Sequence, residues 1–232
     1  MSVQNSFSAK DVGAAILIAA MIQFINVMDF MMVMPLGPDF SKALGIPLNA
    51  MGEVGGVYTF SAAIVGFAAA LFIDRFARKT AILACMAGLI VATFLGGFVW
   101  NEASMIATRM LAGAFGGPLS SLSLALVADI STPQTRGSAM GKVMGGFAVA
   151  SVFGVPFGLE LAEHFTWRAP FISTACMGVA ILAVASFKLP YYTSSSVGQK
   201  LPQLLTSLVT MMSSRLPLMA YAMISLAMMA GS

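Results

Sequence analysis

Two ionisable residues, Asp29 and Arg109, stand inside apolar stretches long enough to cross a membrane. A charged side chain facing lipid costs about 2.5–3.5 kcal/mol on insertion scales, so each is expected to face a partner or a water-filled cavity. At about 1.5 Å of rise per residue, both lie on the order of 8–10 Å below the same membrane surface. The sequence therefore predicts that they approach each other. Two roles stay open: proton coupling in a cavity, or an inert ion pair that holds two helices together.

Further polar residues precede Asp29 on the same predicted helix. Gln23 and Asn26 come before it at steps of three residues. At 3.6 residues per turn, the three side chains cover about a third of the helix circumference. We predict that this polar arc lines a cavity for protons or substrate.

Other constellations of catalytic residues are missing from the sequence. His164 is its only histidine and is interpreted as a loop residue. We recognise no Ser–His–Asp set, no cluster with metal-ligand spacing and no phosphate-binding loop, since Gly116, Gly117 and Pro118 lie within an apolar run. The chain is therefore not expected to be an enzyme or to bind a metal or cofactor.

The elements that must position these residues are membrane-spanning helices. Of the 232 residues, 59% are hydrophobic and 9% are charged, a composition that predicts an all-α polytopic membrane protein. Spans one to six are predicted at residues 12–36, 51–73, 80–100, 105–128, 138–162 and 169–189. Residues 1–189 form the six-helix domain, 190–215 a cytoplasmic linker, and 216–232 the incomplete start of a seventh helix.

The charged loops orient this bundle in the membrane. The segment between spans two and three has the densest charge of the chain, with Asp74, Arg75, Arg78 and Lys79. Short loops rich in Lys and Arg stay in the cytoplasm, so we predict a multi-pass protein of the cell (inner or plasma) membrane with a cytoplasmic N-terminus. The net charge of +3 does not suggest nucleic-acid binding, because the cations fall in the loops of one face.

Small residues recur every four positions in three of the spans. Such faces allow the close backbone approach that holds membrane helices together. Spans two and five carry more of these faces than a six-helix unit is expected to bury, so we predict that a partner covers part of them. The repeats are Ala62/Gly66/Ala70 in span two, Gly113/Gly117 in span four, and Gly141/Gly145 and Gly154/Gly158 in span five.

Four segments, taken in their order, resemble the major facilitator superfamily in its drug:proton antiporter and sugar-efflux branch. Residues 70–79 (ALFIDRFARK) are similar to the loop motif GxLxDRxGRK, with Ala70 and Ala77 in place of its glycines. Residues 28–38 (MDFMMVMPLGP) resemble the first-helix motif, and residues 109–117 (RMLAGAFGG) the fourth-helix motif. Residues 154–158 (GVPFG), followed by Trp167 and Arg168, resemble the fifth-helix antiporter motif, with Val155 inserted between its Gly and Pro.

The resemblance implies a fold and a set of roles. Members have two six-helix halves, each built from 3+3 inverted repeats, so this chain would be an N-terminal half with a partial seventh helix. Asp29 would bind a proton or a cationic substrate, and Arg109 would control how readily it does so. The loop residues Asp74, Arg75, Arg78 and Lys79 would act in gating, and Gly154, Pro156 and Gly158 in helix packing. Met28, Met31, Met32 and Met34 would form an adaptable apolar cavity wall.

Two functions from different classes fit these observations. The first is the N-terminal half of a proton-coupled efflux transporter for small, partly apolar molecules. The second is a truncated, non-transporting subunit or scaffold bound to another membrane protein complex. Both require the lipid bilayer and a partner: a second transporter half, a second copy or an unrelated membrane protein. The substrate is not identified by the sequence.

Overall fold

The computed structural model describes residues 9–72 and 77–189, and the side chains of 11–69 and 77–189. The predicted linker at 190–215, the predicted seventh helix at 216–232 and the loop residues Asp74 and Arg75 lie outside these ranges. The helices are α1 Ala9–Met31, α2 Gly37–Leu44, α3 Met51–Phe72, α4 Arg78–Gly96, α5 Glu102–Ile130, α6 Arg136–Val149, α7 Val155–His164 and α8 Ala169–Lys188.

Six helical segments of this part of the chain are long and apolar enough to cross a membrane. Spans one to four correspond to α1, α3, α4 and α5, and span six to α8. Span five is one continuous segment, Arg136–His164, which comprises α6, a π-helical turn and α7. The predicted all-α fold class with six membrane helices is confirmed.

The end of span one differs from the prediction, which extended the helix to residue 36 and left 37–49 as a loop. The helix ends at Met31, because Pro35 lacks an N–H and its ring would collide with a carbonyl of the preceding turn. A separate helix, α2, then begins with a proline in its first turn, where the missing N–H costs nothing. It ends at Leu44, and the next residue, Gly45, has a φ of 67° that suits a residue without Cβ.

Span five contains a π-helical turn at Ala150–Gly154, just before Pro156. The N–H of Val155 donates to the carbonyl of Ala150, five residues earlier. A proline inside a helix removes one backbone hydrogen bond and crowds the previous turn. The wider π turn is a form of helix interruption that often occurs at functional positions.

Two contacts between the spans are equivalent. Span one packs on span five, and span four packs on span two, as expected if spans one to three and spans four to six share one arrangement. Glycines make both contacts close. A Cβ on Gly117 would lie 2.7 Å from the carbonyl oxygen of Ala62, and one on Gly146 would collide with the carbonyl of Ala20.

Some of the small-residue faces predicted to meet a partner are buried within the bundle, and others are open. Gly154 and Gly158 face α1 rather than a partner, since a Cβ on either would contact Met28 at 3.5 and 3.9 Å. In contrast, Gly66, Gly141 and Gly145 border open space. Spans two and five also bury the smallest share of their apolar segments inside the bundle, 22% and 28%, against 39–56% for the other four spans. The inference that these two spans leave surface uncovered therefore holds, although the glycines of 154–158 are not part of that surface.

Candidate functional site

Asp29 and Arg109 form an ion pair in the interior of the six-helix bundle. Nη1 of Arg109 donates to both carboxylate oxygens of Asp29 at 3.2 Å and to its backbone carbonyl at 3.4 Å. The side chains are 0% and 1% exposed. The sequence predicted this approach from the matching depth of two antiparallel spans, but it placed the pair beside a cavity, whereas the structure encloses it between helices.

Residues from two further helices complete the site. The hydroxyl of Thr93 on α4 donates to Oδ1 of Asp29 at 2.7 Å. The ring of Phe171 on α8 lies 5.2 Å from the guanidinium carbon of Arg109, a distance typical of a cation–π contact. Gly96 leaves room for the guanidinium, because a Cβ there would lie 2.8 Å from Nη2. Within an apolar run, Thr93, Gly96 and Phe171 give no sequence signal that could have identified them.

Arg109 keeps two polar atoms without a partner. Its Nε and Nη2 are buried and make no hydrogen bond within the part of the chain that the structure describes. A buried, unsatisfied donor costs about 1–3 kcal/mol, and more on a charged group. These two donors are therefore the place where water or another polar group would bind most favourably.

Gln23 and Asn26 form a buried seam between α1, α3 and α5. Asn26 donates to the carbonyl of Gly116 at 3.1 Å and accepts from the hydroxyl of Tyr58 at 3.0 Å. The hydroxyl of Ser120 donates to Gln23 at 2.9 Å. The structure buries this arc between three helices instead of exposing it to an open cavity, and its part in binding a proton or substrate stays a prediction.

An open cavity of about 490 Å³ lies instead between α1, α3 and span five. Met31 and Met34 line it, whereas Met28 and Met32 are buried in the core. The Met-rich wall predicted from the sequence is therefore half correct. Methionines occur on several sides of the end of span one, and the sequence does not reveal which of them face outward. The other lining residues are Phe30, Val33, Pro35, Gly55, Gly56, Thr59, Ser151 and Val155.

The start of α4, which carries the end of the loop motif, is anchored to the end of span four. Nε of Arg78, a largely buried side chain, lies 3.3 Å from Oδ2 of Asp129. Lys79 is half-buried next to it. The sequence placed Asp129 in an inner loop without a role, and its pairing with Arg78 was not predicted. This contact ties the first turn of α4 to the last turn of α5.

The fifth-helix motif packs span five onto span one. A Cβ on Gly154 would contact the ring of Phe24 at 3.4 Å, and one on Gly158 would meet Pro170 at 3.8 Å. Pro156 lies in the first turn of α7, two residues after the π-helical turn ends at Gly154. The motif residues therefore lie at the span-one interface and at the interruption of the helix.

A family model and similar proteins both relate this chain to one family. The Major Facilitator Superfamily model matches residues 19–232. An uncharacterized MFS-type transporter of Bacillus subtilis, YceJ, is 30% identical over 166 residues, which are 71% of this chain and 42% of that protein. A triacylglyceride transporter of Mycolicibacterium smegmatis is 26% identical over 182 residues, or 76% of this chain and 32% of that protein. The chain thus spans less than half the length of both relatives.

Solved structures show the same fold at low identity. The inward-open xylose transporter XylE of E. coli matches 94% of this chain and 56% of its own, with a TM-score of 0.68 and 14% identity. A peptide transporter, POT, solved with alafosfalin, matches 100% of this chain and 48% of its own, with a TM-score of 0.70 and 13% identity. The described helices correspond to the N-terminal half of such a fold.

Proposed function

Because this chain belongs to the major facilitator superfamily, we propose that it is the N-terminal half of a proton-coupled efflux transporter for small molecules. A second transporter half, or a partner that replaces it, completes the central cavity. The six apolar spans make the chain a multi-pass protein of the cell membrane. Its proposed orientation has the N-terminus in the cytoplasm.

The observation that carries this proposal is the buried Asp29–Arg109 pair. Ionisable residues at membrane depth are costly and commonly belong to proton relays or substrate pathways. A proton bound at Oδ2 of Asp29 would neutralise the carboxylate while Oδ1 keeps the hydrogen bond from Thr93. The attraction to Arg109 would then weaken, and α1 could shift relative to α5. Loss of the proton would restore the pair.

The residues that line the open cavity beside α1 are the proposed wall of the substrate site. Its two methionines are flexible and polarisable side chains that adapt to differently shaped apolar ligands. Ser151 and Thr59 add hydroxyl groups, although both bond to carbonyls of their own helices. A relative named as a triacylglyceride transporter supports a substrate with substantial apolar surface.

The test of proton coupling is transport in everted membrane vesicles that contain the chain with its natural partner. Asp29→Asn is expected to abolish substrate movement driven by a pH gradient, because an amide cannot exchange a proton. Asp29→Glu keeps a titratable group and is expected to retain part of the activity. The matched control is Asp39→Asn, which changes an Asp on α2 outside the ion pair. Coupled transport at the wild-type rate in Asp29→Asn would refute the proposal.

A second candidate function is a non-transporting subunit docked on another membrane complex. The complete enclosure of the ion pair favours it, since a pair enclosed within one half-bundle can hold its four helices together without taking part in transport. The composition of the complex in mild detergent distinguishes the two. A transporter-like second half, or a second copy of this chain, supports the transporter, and an unrelated membrane protein supports the scaffold.

A further inference from the structure

A groove on the outside of the bundle runs along α1 between span five and α8, apart from the ion pair and the Met-lined cavity. Leu17 on α1, Gly145 and Val149 on α6, and Met177 on α8 form its walls. It encloses about 660 Å³. A smaller hollow of about 220 Å³ continues the groove along α1 as far as Gly13.

The dimensions of the groove match one acyl chain. Its lining on α1 extends from Gly13 to Ile25, a distance of about 18 Å at 1.5 Å per residue. The hydrocarbon core of a bilayer is about 30 Å thick, so one leaflet contributes about half of that. Gly145 contributes to the open space of the groove: it has no side chain, and a Cβ built there would have no neighbour within 4 Å.

One charged side chain, Lys142, lines both the groove and its extension. Span five runs parallel to α1, since Gly146 packs on Ala20 and Gly154 packs on Phe24. Lys142 is the groove residue nearest the start of α6, so it lies toward the end of the bundle where α1 begins. Among the residues that the structure describes, it has no hydrogen bond or ion pair. Its flexible stem allows the ammonium group to reach the headgroup layer.

From the apolar walls and the single cation, we propose that this groove binds one anionic phospholipid. The acyl chain lies along α1 over Gly145, and the lipid phosphate pairs with Lys142. A basic residue in a cleft between membrane helices recognises an anionic headgroup by charge, and the groove holds the chain by contact. This inference does not depend on transport, because it concerns the outer face of the half-bundle.

Native mass spectrometry of the 232-residue chain tests the headgroup part of the proposal. The chain is released from micelles with equal amounts of phosphatidylglycerol and phosphatidylcholine that have identical acyl chains. One phosphatidylglycerol is expected to remain bound in preference to phosphatidylcholine. Lys142→Gln should lower this preference about fivefold, the factor for one Lys at an anionic lipid, and Lys142→Arg should keep it. Lys188→Gln, at the same end of the bundle but outside the groove, is the control and should leave it unchanged.

Gly145→Leu tests the acyl-chain part, because Gly145 lines the groove and a Cβ there meets no protein atom within 4 Å, so the added side chain takes up groove volume. It should remove bound lipid of both kinds, whereas Gly141→Leu, a control with equally open surroundings outside the groove, should not. Equal retention of the two lipids, or a preference indifferent to Lys142→Gln, would overturn the proposal. The proposal would also be overturned if the wild-type chain gave the mass of a dimer and Gly145→Leu did not. In that case a second copy of the chain, and not a lipid, would occupy the groove.

Discussion

Arg109 carries a guanidinium group, which does not lose its charge in proteins, whereas Asp29 carries a carboxyl group, which exists in a charged and a neutral form. This chemical difference makes the two residues unequal partners, although Nη1 of Arg109 contacts both carboxylate oxygens of Asp29 at the same distance, 3.2 Å. If Asp29 loses its charge, the guanidinium stays charged with only Phe171 and a backbone carbonyl beside it. If Arg109 is replaced, the carboxyl can become neutral.

We therefore predict that Asp29→Asn destabilises the bundle more than Arg109→Gln does. Removing one partner of a buried ion pair costs about 3–5 kcal/mol, and Asp29→Asn should approach that range. The double variant should lose less stability than the sum of the single losses, because neither charge is then left alone. Thermal unfolding in detergent measures all three, with Asp39→Asn as the control. Additive losses would mean that the two residues are not energetically coupled.

Part of this site could be predicted from the sequence and part could not. Asp29 and Arg109 were identifiable because a charge in an apolar run must find a partner, and residue counting gives its depth. Thr93 and Phe171 were not, since the rotation of each helix about its axis decides which residues face the pair. The same missing information led Gln23 and Asn26 to be assigned to a cavity instead of a hydrogen-bonded seam.

At the scale of helices, the contact between α3 and α5 depends on glycine. Gly113 lies directly under the carbonyl of Tyr58, and Gly117 under that of Ala62. Without a hydrophobic drive between helices in lipid, such close packing supplies much of the association. The small-residue repeat of span four was therefore interpreted correctly as a close-packing face. The structure adds that its partner is α3, within the same half-bundle.

Gly113→Ala is predicted to separate these helices and destabilise the protein by about 1–3 kcal/mol, the usual cost of overpacking. The added methyl group meets backbone atoms of Tyr58, which cannot move aside as a side chain would. Gly66→Ala, a matched control in α3 with open space around it, should leave the unfolding temperature unchanged or slightly raised. Equal stability of the two variants would contradict the role of close packing at Gly113.

Prolines lie at two places where the predicted helices differ from the observed ones. Hydrophobic run length gave the existence of the six spans, because it reflects the thickness of the bilayer. It could not give the end of α1 at Met31, the separate helix α2 or the π turn before Pro156. These features arise where a missing N–H and a rigid ring change the backbone hydrogen bonds of an otherwise continuous apolar segment.

At the scale of the whole molecule, the membrane orientation is a prediction with a direct test. Gln134 between α5 and α6 and Thr166 between α7 and α8 are both exposed and lie on opposite sides of the predicted bilayer. In a background with Cys85 and Cys176 replaced by alanine, Thr166→Cys should react with an impermeant thiol reagent added outside intact cells. Gln134→Cys should react only after the membrane is opened. The reverse pattern would invert the orientation.

A partner is expected to cover the faces of spans two and five that flank the Met-lined cavity. These spans have the lowest buried shares of the six, and the cavity between them and α1 is open at its side. Apolar exposure alone would not require a protein partner, because lipid tails are as apolar as a leucine side chain. The Met-lined cavity is different, because as the proposed substrate wall it needs the facing helices of a second transporter half to enclose it.

Exposed phenylalanines allow this expectation to be tested at matched positions. Phe60 and Phe153 on spans two and five are 65% and 68% exposed, and Phe98 and Phe187 near the ends of α4 and α8 are 51% and 86% exposed. A photoreactive phenylalanine analogue at the first two positions should cross-link to protein in native membranes. At the last two, which lie just after α4 and near the end of α8, two helices that pack against each other, it should cross-link mainly to lipid. Because all four sites carry the same side chain at an exposed position, the difference reports what covers each face. Cross-linking to lipid alone at Phe60 and Phe153 would mean that the half-bundle stands in the membrane without a partner.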